Sequence, residues 1–344
     1  MKLSIVIICW NDLKVIKDAL HSIFEETKNL DFEVVVSDNG STDGSLDYIR
    51  QHFNHANLRI VENKANLGFA RGNNSGIDAA GGDYILILNP DTIIHDRALE
   101  KLVAFADQHP EAGAFGCRIL NPDGTYQYTA KLFPTVGRFW IDALGLKWLV
   151  HFSKACASRS YVGWHGDTER QIDWQSGCCV MFRGPLLKKI GGFDPQFFYH
   201  CEEVDLCQRV WKEGYPILFT PSARVTHLGG QSVKRAPTRF AIETYRNLYR
   251  FFYKYYGPKG ARSIRWPILT NLLFRSAAYG LRNLVYSPAG AKQDQETRKV
   301  LLRWHCRVDP VKFVTTGEEP DLGYEPFVPR PKPDPGPIEK ATTT

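Results

Sequence analysis

Tyr84–Thr92 reads YILILNPDT, five apolar residues ended by Asn89, Pro90 and Asp91. A run this short and this apolar fits a strand buried on both faces. Pro90 then turns the chain sharply away from the sheet. Upstream, two periods alternate. Ser4 to Ile8 reads as a buried strand, and Leu13, Ile16, Leu20, Ile23 and Phe24 follow at helical spacing. Glu33 to Val36 is a second strand, with the polar turn Ser37 to Ser45 and a helix through Tyr48 and Ile49. Leu58 to Val61 is a third, with a loop and helix from Asn66 to Ala80. Strand and helix alternating in this way predict βαβ units in an α/β domain with a Rossmann-like, mostly parallel sheet flanked by helices. Ligands bind such sheets at the carboxyl ends of the strands, where Asp38 and Asp91 both fall.

Downstream, Trp174 to Phe182 reads as a strand and Pro185 to Ile190 as a short helix closed by Gly191-Gly192. Glu202 to Glu213 reads as a helix with an acidic first turn, and Tyr215 to Phe219 and Ala223 to Thr226 are strand-like. From Gln231 the chain becomes basic and aromatic, with 15 Lys and Arg against Glu243, Asp294 and Glu296 up to Arg303. That local excess, a C-terminal helical extension, points to a polyanionic surface, either nucleic acid or an anionic membrane face. After about Trp304 an acidic segment carries Pro310, Pro320, Pro326 and five further prolines. It has no sustained periodicity and is expected to be extended or disordered. The sequence therefore divides into a domain over 1–230 (donor half about 1–120, acceptor half about 121–230), basic helices over 231–303 and a proline-rich tail over 304–344.

With 43% hydrophobic and 23% charged residues the chain has the composition of a folded protein. Nothing resembles a secretory signal, and no stretch approaches the roughly 18 to 20 apolar residues of a membrane span. The eight cysteines are scattered, without a repeated CxxC pair. Reduced thiols in a cytoplasmic protein, peripheral to the inner face of a membrane if the basic block docks there, are expected.

Asp91 is the cation candidate, because Mg²⁺ or Mn²⁺ takes few protein oxygens and completes its shell with phosphate and water. By itself Asn89-Pro90-Asp91 is also ordinary turn chemistry. Glu202, Glu203 and Asp205 are the base candidates. Acids at a helix start often only offset the helix dipole, but these three stand beside Phe197-Phe198-Tyr199, and aromatic walls raise a carboxyl pKa. His227 follows a strand and precedes Gly229-Gly230; a lone histidine is more often structural. The group His200, Cys201 and Cys207 lacks zinc spacing. Gly68 and Gly72 frame a loop with Arg71, Asn73 and Asn74 that can cradle phosphate, but it is neither GxGxxG nor a P-loop.

Taken together these residues resemble the family-2 inverting glycosyltransferases of the GT-A fold, in particular the bacterial rhamnosyltransferase-like branch. Seven segments carry the resemblance in order: SIVIICWN from Ser4, VVVSDNGSTDGS from Val34, ENKANLGFARGNN from Glu62, YILILNPDT from Tyr84, DWQSGCCVMFR from Asp173, GGFDPQFFYHCEEVDLCQRV from Gly191 and ARVTHLGGQS from Ala223. The resemblance implies a donor pocket of Cys9, Asn11 and Asp38 for the nucleobase, with Asn66, Gly68, Arg71, Asn73 and Asn89 as further donor contacts. It implies Asp91 as the metal-binding acid of a DxD-type motif, Asn89 standing where the first Asp would be, and His227 completing the metal site. Glu203 falls in the position of the general base, with Glu202 and Asp205 beside it. Trp174, Gly177 and His200 fall on the acceptor side; His200-Cys201 departs from the two aromatics usual there. The activity implied is transfer of a sugar, rhamnose favoured, from a dTDP- or UDP-linked donor to a glycan or polyprenyl-linked acceptor in surface polysaccharide synthesis, helped by Mg²⁺ or Mn²⁺. Two other classes fit less of the chain. A sugar-phosphate nucleotidyltransferase lacks its Gly-rich, Arg-containing loop here. A non-catalytic nucleic-acid binder is suggested only by the basic block, so no nucleic acid partner is expected.

Overall fold

The structure, a computed structural model, describes residues 1–146, 161, 163–229, 237–285 and 291–321. The start of the basic block at 231–236 and the proline-rich stretch from 322 lie outside the described residues. The chain divides into two compact units, residues 1–135 with 146–235 and residues 136–145 with 236–344. Residues 136–145 belong to the C-terminal unit although nothing in their local pattern sets them apart.

The first unit runs β1 (Leu3–Cys9), α1 (Leu13–Glu26), β2 (Phe32–Asp38), α2 (Ser45–His52), β3 (Leu58–Glu62), α3 (Gly68–Ala79), β4 (Tyr84–Leu88), β5 (Thr92–His95), α4 (Ala98–Gln108), β6 (Ala114–Leu120) and β7 (Ala130–Lys131). After α5 (Val136–Ala143), which belongs to the second unit, come β8 (Arg170–Ile172), β9 (Trp174–Gln175), β10 (Cys179–Arg183), α6 (Gly184–Lys189), α7 (Glu202–Lys212) and β11 (Ile217–His227). Among the described residues the main sheet has the order β3-β2-β1-β4-β10-β6-β11-β5, with β8 also on β11. The α/β class holds. The first four strands are parallel, as the βαβ pattern requires, and β10 then runs antiparallel between β4 and β6. Every residue of β4 is buried, which is why its sequence is unbroken by polar residues. Helices pack on it through single stripes: Ile16, Ala19, Leu20 and Ile23 of α1, and Leu99, Leu102 and Phe105 of α4. Each large side chain so buried contributes about 2 kcal/mol of transfer free energy.

Two segments differ from the expected strands, for identifiable reasons. Trp174 to Phe182 is not one strand. β9 pairs with β7 in a separate two-stranded sheet, the chain turns at Ser176–Cys178, and β10 enters the main sheet. Conversely, the two strand-like runs after Tyr215 are one strand, β11, with its register shifted between Thr220 and Arg224. Pro221 lies in that shift and donates no ladder hydrogen bond, hence the interruption seen in sequence.

The second unit contains α8 (Pro237–Val285), broken at Gly257 with φ 65°, then α9 (Ala291–Arg307) and α10 (Pro310–Thr316). Tyr249, Phe251, Phe252, Trp304 and Phe313 form its buried interior, and Phe139 of α5 meets Phe252 edge to face. The extended chain expected from about Trp304 is, as far as 316, helical and packed. Asp309 caps α10 by accepting from the N–H groups of Val311 (2.9 Å) and Lys312 (3.2 Å), and Pro310 takes the first helical position. There its missing N–H costs nothing, so this proline starts a helix instead of marking disorder. Arg246 pairs with Glu243 and Glu319, and Glu319 also accepts from Trp304 Nε1 at 3.2 Å. No helix of the described residues is long and apolar enough to cross a membrane.

Candidate active site

The carboxyl ends of β1, β2 and β4 make one rim in the first unit. Cys9 and Asp38 are register partners, as are Ile7 and Leu88. The Asp38 carboxylate is buried and accepts from the N–H groups of Gly40 (2.9 Å) and Ser41 (3.0 Å). Asn11, at φ 58°, accepts from the Thr42 N–H at 2.7 Å and donates its own N–H to Ser41 Oγ at 2.9 Å. Ser41 Oγ also lies 3.7 Å from the buried Cys9 thiol, whose pKa burial pushes up to about 12. The three residues expected at the nucleobase thus converge on one turn. Ser41 is the shared partner that the sequence did not single out.

The loop that opens α3 is fastened to the segment before α7. Asn66 Oδ1 accepts from the Gly68 N–H at 2.9 Å, and the Phe69 N–H donates to the Phe198 carbonyl at 3.1 Å. Gly68 has φ +81°, and a Cβ there would stand 2.6 Å from the Phe198 ring, so no other residue fits. Asn73 is fully buried; its Nδ2 donates to the Phe69 carbonyl at 2.9 Å while its Oδ1 has no partner. Arg71 is exposed on α3.

Asp91 and His227, 136 residues apart in sequence, are brought together by the antiparallel pairing of β5 with β11, in which Thr92 faces His227. Asp91 Oδ1 lies 3.2 Å from His227 Nε2, and its Oδ2 accepts from the Gly229 N–H at 3.1 Å. Asn89 Nδ2 also lies 3.2 Å from His227 Nε2, while Asn89 Oδ1 is buried without a partner. Behind the imidazole, Nδ1 is 2.8 Å from Gln127 Oε1. Among the described residues no group of three or more His, Cys, Asp or Glu could hold a metal ion. The donor set nevertheless fits a hard divalent cation that draws its other ligands from phosphate and water: one carboxylate only 6% exposed, one imidazole and an orphaned amide oxygen meet at a strand end.

The base candidates open α7. Glu202 (4% exposed) and Glu203 (8% exposed) each keep Oε2 buried and free of any hydrogen bond. Burial, and then the neighbouring Glu203, holds the Glu202 carboxyl well above the ordinary carboxylate range. Burial also raises Glu203; its own N–H and the Lys131 ammonium pull it back. Asp205 is differently placed: fully buried, it takes Arg209 Nε at 2.8 Å, and Arg209 in turn donates to the carbonyls of Ile190 (2.7 Å) and Gly192 (2.6 Å). Just before α7, His200 and Cys201 are both left-handed, at φ 65° and 72°. Two such non-glycine residues in succession are the kind of strain that clusters at functional sites. Burial, and then Lys131, lowers the His200 pKa to about 4.

The turn between β9 and β10 joins the two ends. Trp174 Nε1 donates to the Leu132 carbonyl at 3.0 Å, and the Lys131 ammonium sits 5.1 Å from the Trp174 ring centroid. A Cβ at Gly177 would lie 3.7 Å from Glu203 Cβ and 3.2 Å from the Phe69 ring. The Cys178 carbonyl accepts from the Asn89 N–H at 3.0 Å, beside Asp91. Tyr199 spans the same distance: burial first, then the charges of Glu202, Glu203 and Asp91, raise its phenol pKa. Gln127 and Lys131, which the sequence left unmarked, lie on one short segment that serves both ends. It carries no motif, and only the fold brings it here.

Residues 4–167 match the family described as Glycosyl transferase family 2. Over 255 residues the chain is 29% identical to the N-acetylglucosaminyl-diphospho-decaprenol L-rhamnosyltransferase of Mycobacterium tuberculosis, covering 71% of this chain and 81% of that protein. It is 24% identical over 231 residues to the rhamnosyltransferase WbbL of Escherichia coli K12, covering 65% of this chain and 82% of that one. In fold it is similar to the mannosyltransferase PcManGT from Pyrobaculum calidifontis, solved with GDP-Man and Mn²⁺, with TM-score 0.54 and 18% identity over 91% of this chain and 83% of that one.

Proposed function

We propose that the chain is a family-2 glycosyltransferase that transfers rhamnose, with inversion, from a dTDP-linked donor to a polyprenyl-diphosphate-linked N-acetylglucosamine or a glycan built on it. The sugar and acceptor follow the names of the two rhamnosyltransferases it resembles. The observation that carries the reading is the meeting of Asp91–His227 and Glu202–Glu203 about a single turn.

In this mechanism Glu203 takes the proton of the acceptor hydroxyl, whose oxygen attacks the anomeric carbon from the face opposite the leaving nucleoside diphosphate. The C–O bond to the diphosphate breaks as the new glycosidic bond forms, so one displacement inverts the centre. Asp91 and His227 would hold Mg²⁺ or Mn²⁺, which when bound neutralises the charge gathering on the diphosphate. Asp38 and the 39–42 turn hold the base, and Arg71 is open to meet phosphate. Asp205, locked to Arg209, steadies the start of α7. Burial raises both carboxyls, and Glu203, whose shift the Lys131 ammonium opposes, is the one assigned as base.

The direct test is a donor screen. Purified protein is incubated with dTDP-rhamnose, UDP-hexoses or GDP-mannose and a short-chain polyprenyl-diphosphate N-acetylglucosamine, with Mn²⁺, Mg²⁺ or chelator. Acceptor-dependent release of dTDP, with a β-configured product from an α donor or the converse, is expected. Hydrolysis or transfer from UDP donors alone would overturn the donor assignment, and activity undiminished in excess chelator would remove the metal.

A lipid-linked acceptor places the enzyme at an anionic membrane face. Supporting this, Trp266, Leu273 and Phe274 of α8 are 61%, 58% and 59% exposed. Positions seven and eight apart share a helix face, and Lys259 and Arg262 stand exposed one to two turns earlier on it. Each basic group near such a surface contributes about 1 kcal/mol. Vesicles containing phosphatidylglycerol should therefore retain the protein in low salt. Equal recovery on neutral vesicles, insensitive to salt, would reject the membrane partner.

A further inference from the structure

We propose that Gln127 is a positioning residue for the cation site: it fixes the tautomer of His227 so that Nε2 presents its lone pair beside Asp91. The inference rests on the metal reading of Asp91 and His227 and adds a residue that lies outside the seven resembling segments. The orientation of the Gln127 amide is set from outside. Its Nε2 donates to Asn121 Oδ1 at 2.9 Å and to the His227 carbonyl at 3.4 Å, so the atom left facing the imidazole is the oxygen. Asn121 is itself oriented, its Nδ2 donating to Thr125 Oγ1 at 2.9 Å, and Thr125 Oγ1 donating to Asp123 Oδ1 at 2.6 Å.

A carbonyl oxygen 2.8 Å from Nδ1 requires a proton on Nδ1. In the neutral ring Nε2 is then an acceptor, aimed at Asp91 Oδ1 only 3.2 Å away. Two acceptors that close repel each other unless a positive centre stands between them. Asn89 Nδ2 supplies a partial one at 3.2 Å, and a divalent cation supplies the full one. The hydrogen-bond chain from Asp123 through Thr125, Asn121 and Gln127 thus keeps a proton on Nδ1, so that Nε2 is the nitrogen left to ligate beside Asp91. Outer partners of this kind typically change metal affinity by about 10- to 100-fold.

The experiment is Mn²⁺ titration of the full chain followed by the EPR signal of free Mn²⁺, alone and with dTDP or UDP. Wild type is compared with Asp91→Ala, Gln127→Leu and Gln127→Glu. Binding by wild type and its loss in Asp91→Ala establish the site; equal binding in those two removes the metal reading and this proposal with it. Given that site, Gln127→Leu should bind Mn²⁺ about 10- to 100-fold more weakly, while Gln127→Glu, which keeps an acceptor oxygen, should bind within a few-fold of wild type or tighter. The long-range ¹H–¹⁵N spectrum of His227 should show the Nδ1–H form in wild type and lose it in the leucine variant. Raised Mn²⁺ should restore kcat to Gln127→Leu, a rescue that a folding defect would not give. Affinity within twofold of wild type in Gln127→Leu, or a loss in Gln127→Glu equal to that in the leucine variant, would overturn the proposal and leave the metal reading standing. Should Gln127→Leu fail to fold, Asn121→Ala frees the Gln127 amide to flip and should weaken Mn²⁺ several-fold; unchanged affinity there is equally fatal.

Discussion

Asp91 and His227 sit at the head of a hydrogen-bonded chain that runs back through Gln127 and Asn121, whereas Glu202 and Glu203 each bury a carboxylate oxygen that has no hydrogen-bond partner among the described residues. In the first arrangement the imidazole is oriented by strand pairing and side-chain amides, and the Asn89 amide oxygen alone is left without a partner. The second is left open. A buried, unpartnered carboxylate oxygen costs free energy that the fold must offset elsewhere, and in the proposed mechanism the acceptor hydroxyl would relieve it. On the proposed mechanism the two ends are specialised differently, the one for holding charge in place and the other for changing protonation state.

The largest effect should come from the Asp91–His227 end. Asp91→Ala removes the carboxylate beside His227 and should lower turnover by about 10³-fold or more, in the range lost when a main electrostatic stabiliser is removed. Because Asp91 lies at a strand end outside the hydrophobic core, thermal unfolding should shift little. Steady-state rates and a melting curve on one preparation check both halves. A variant that stays active but melts at a lower temperature would show that the Asp91–His227 pair is scaffolding.

At the open end, Glu203→Gln keeps size and hydrogen bonding but removes basicity. Turnover should fall by about 100-fold or more while donor affinity, measured by titration, is unchanged. Glu202→Gln should keep measurable turnover, because on this assignment that carboxyl is not the base. The opposite ranking would exchange the two roles, and little loss in either would move the base to another group.

How much of this was legible beforehand depended on whether the signal was local. The four parallel strands were readable because each is a short apolar run bounded by polar loops, and Asp91 and Glu203 because each lies in a recognisable segment. β10 was not placed, since nothing in Cys179–Arg183 says that it slips antiparallel beside β4. The turn at Ser176–Cys178 was hidden inside an apolar run, although Gly177 marked it. His227 was named, but its partner Asp91 was fixed only by the β5–β11 register, which spans the whole domain. Gln127 and Lys131 had no local signal at all. Their importance comes from β7 pairing with β9 and from side chains that meet residues 100 and 72 positions away.

Lys131 gives the smallest and most discriminating test of the contrast. Its positive charge favours the ionised form of Glu203, against the burial that raises that carboxyl. Removing the charge in Lys131→Met should raise the Glu203 pKa further, so at any given pH below it a smaller fraction of enzyme carries the base. The acid limb of the kcat profile should move to higher pH by about one unit, the low end of what a nearby opposite charge produces. Well below the limb this is a loss of about tenfold, and above it there should be none. Lys131→Arg should keep the wild-type limb. His200 does not confuse the measurement, because burial more than Lys131 holds it to about 4 and it stays neutral wherever the enzyme is active near neutral pH. The comparison is therefore kcat against pH for the three proteins at saturating donor and acceptor. A uniform loss in Lys131→Met at every pH would mean that Lys131 acts by contact with the acceptor. The open end would then owe its protonation balance to burial alone.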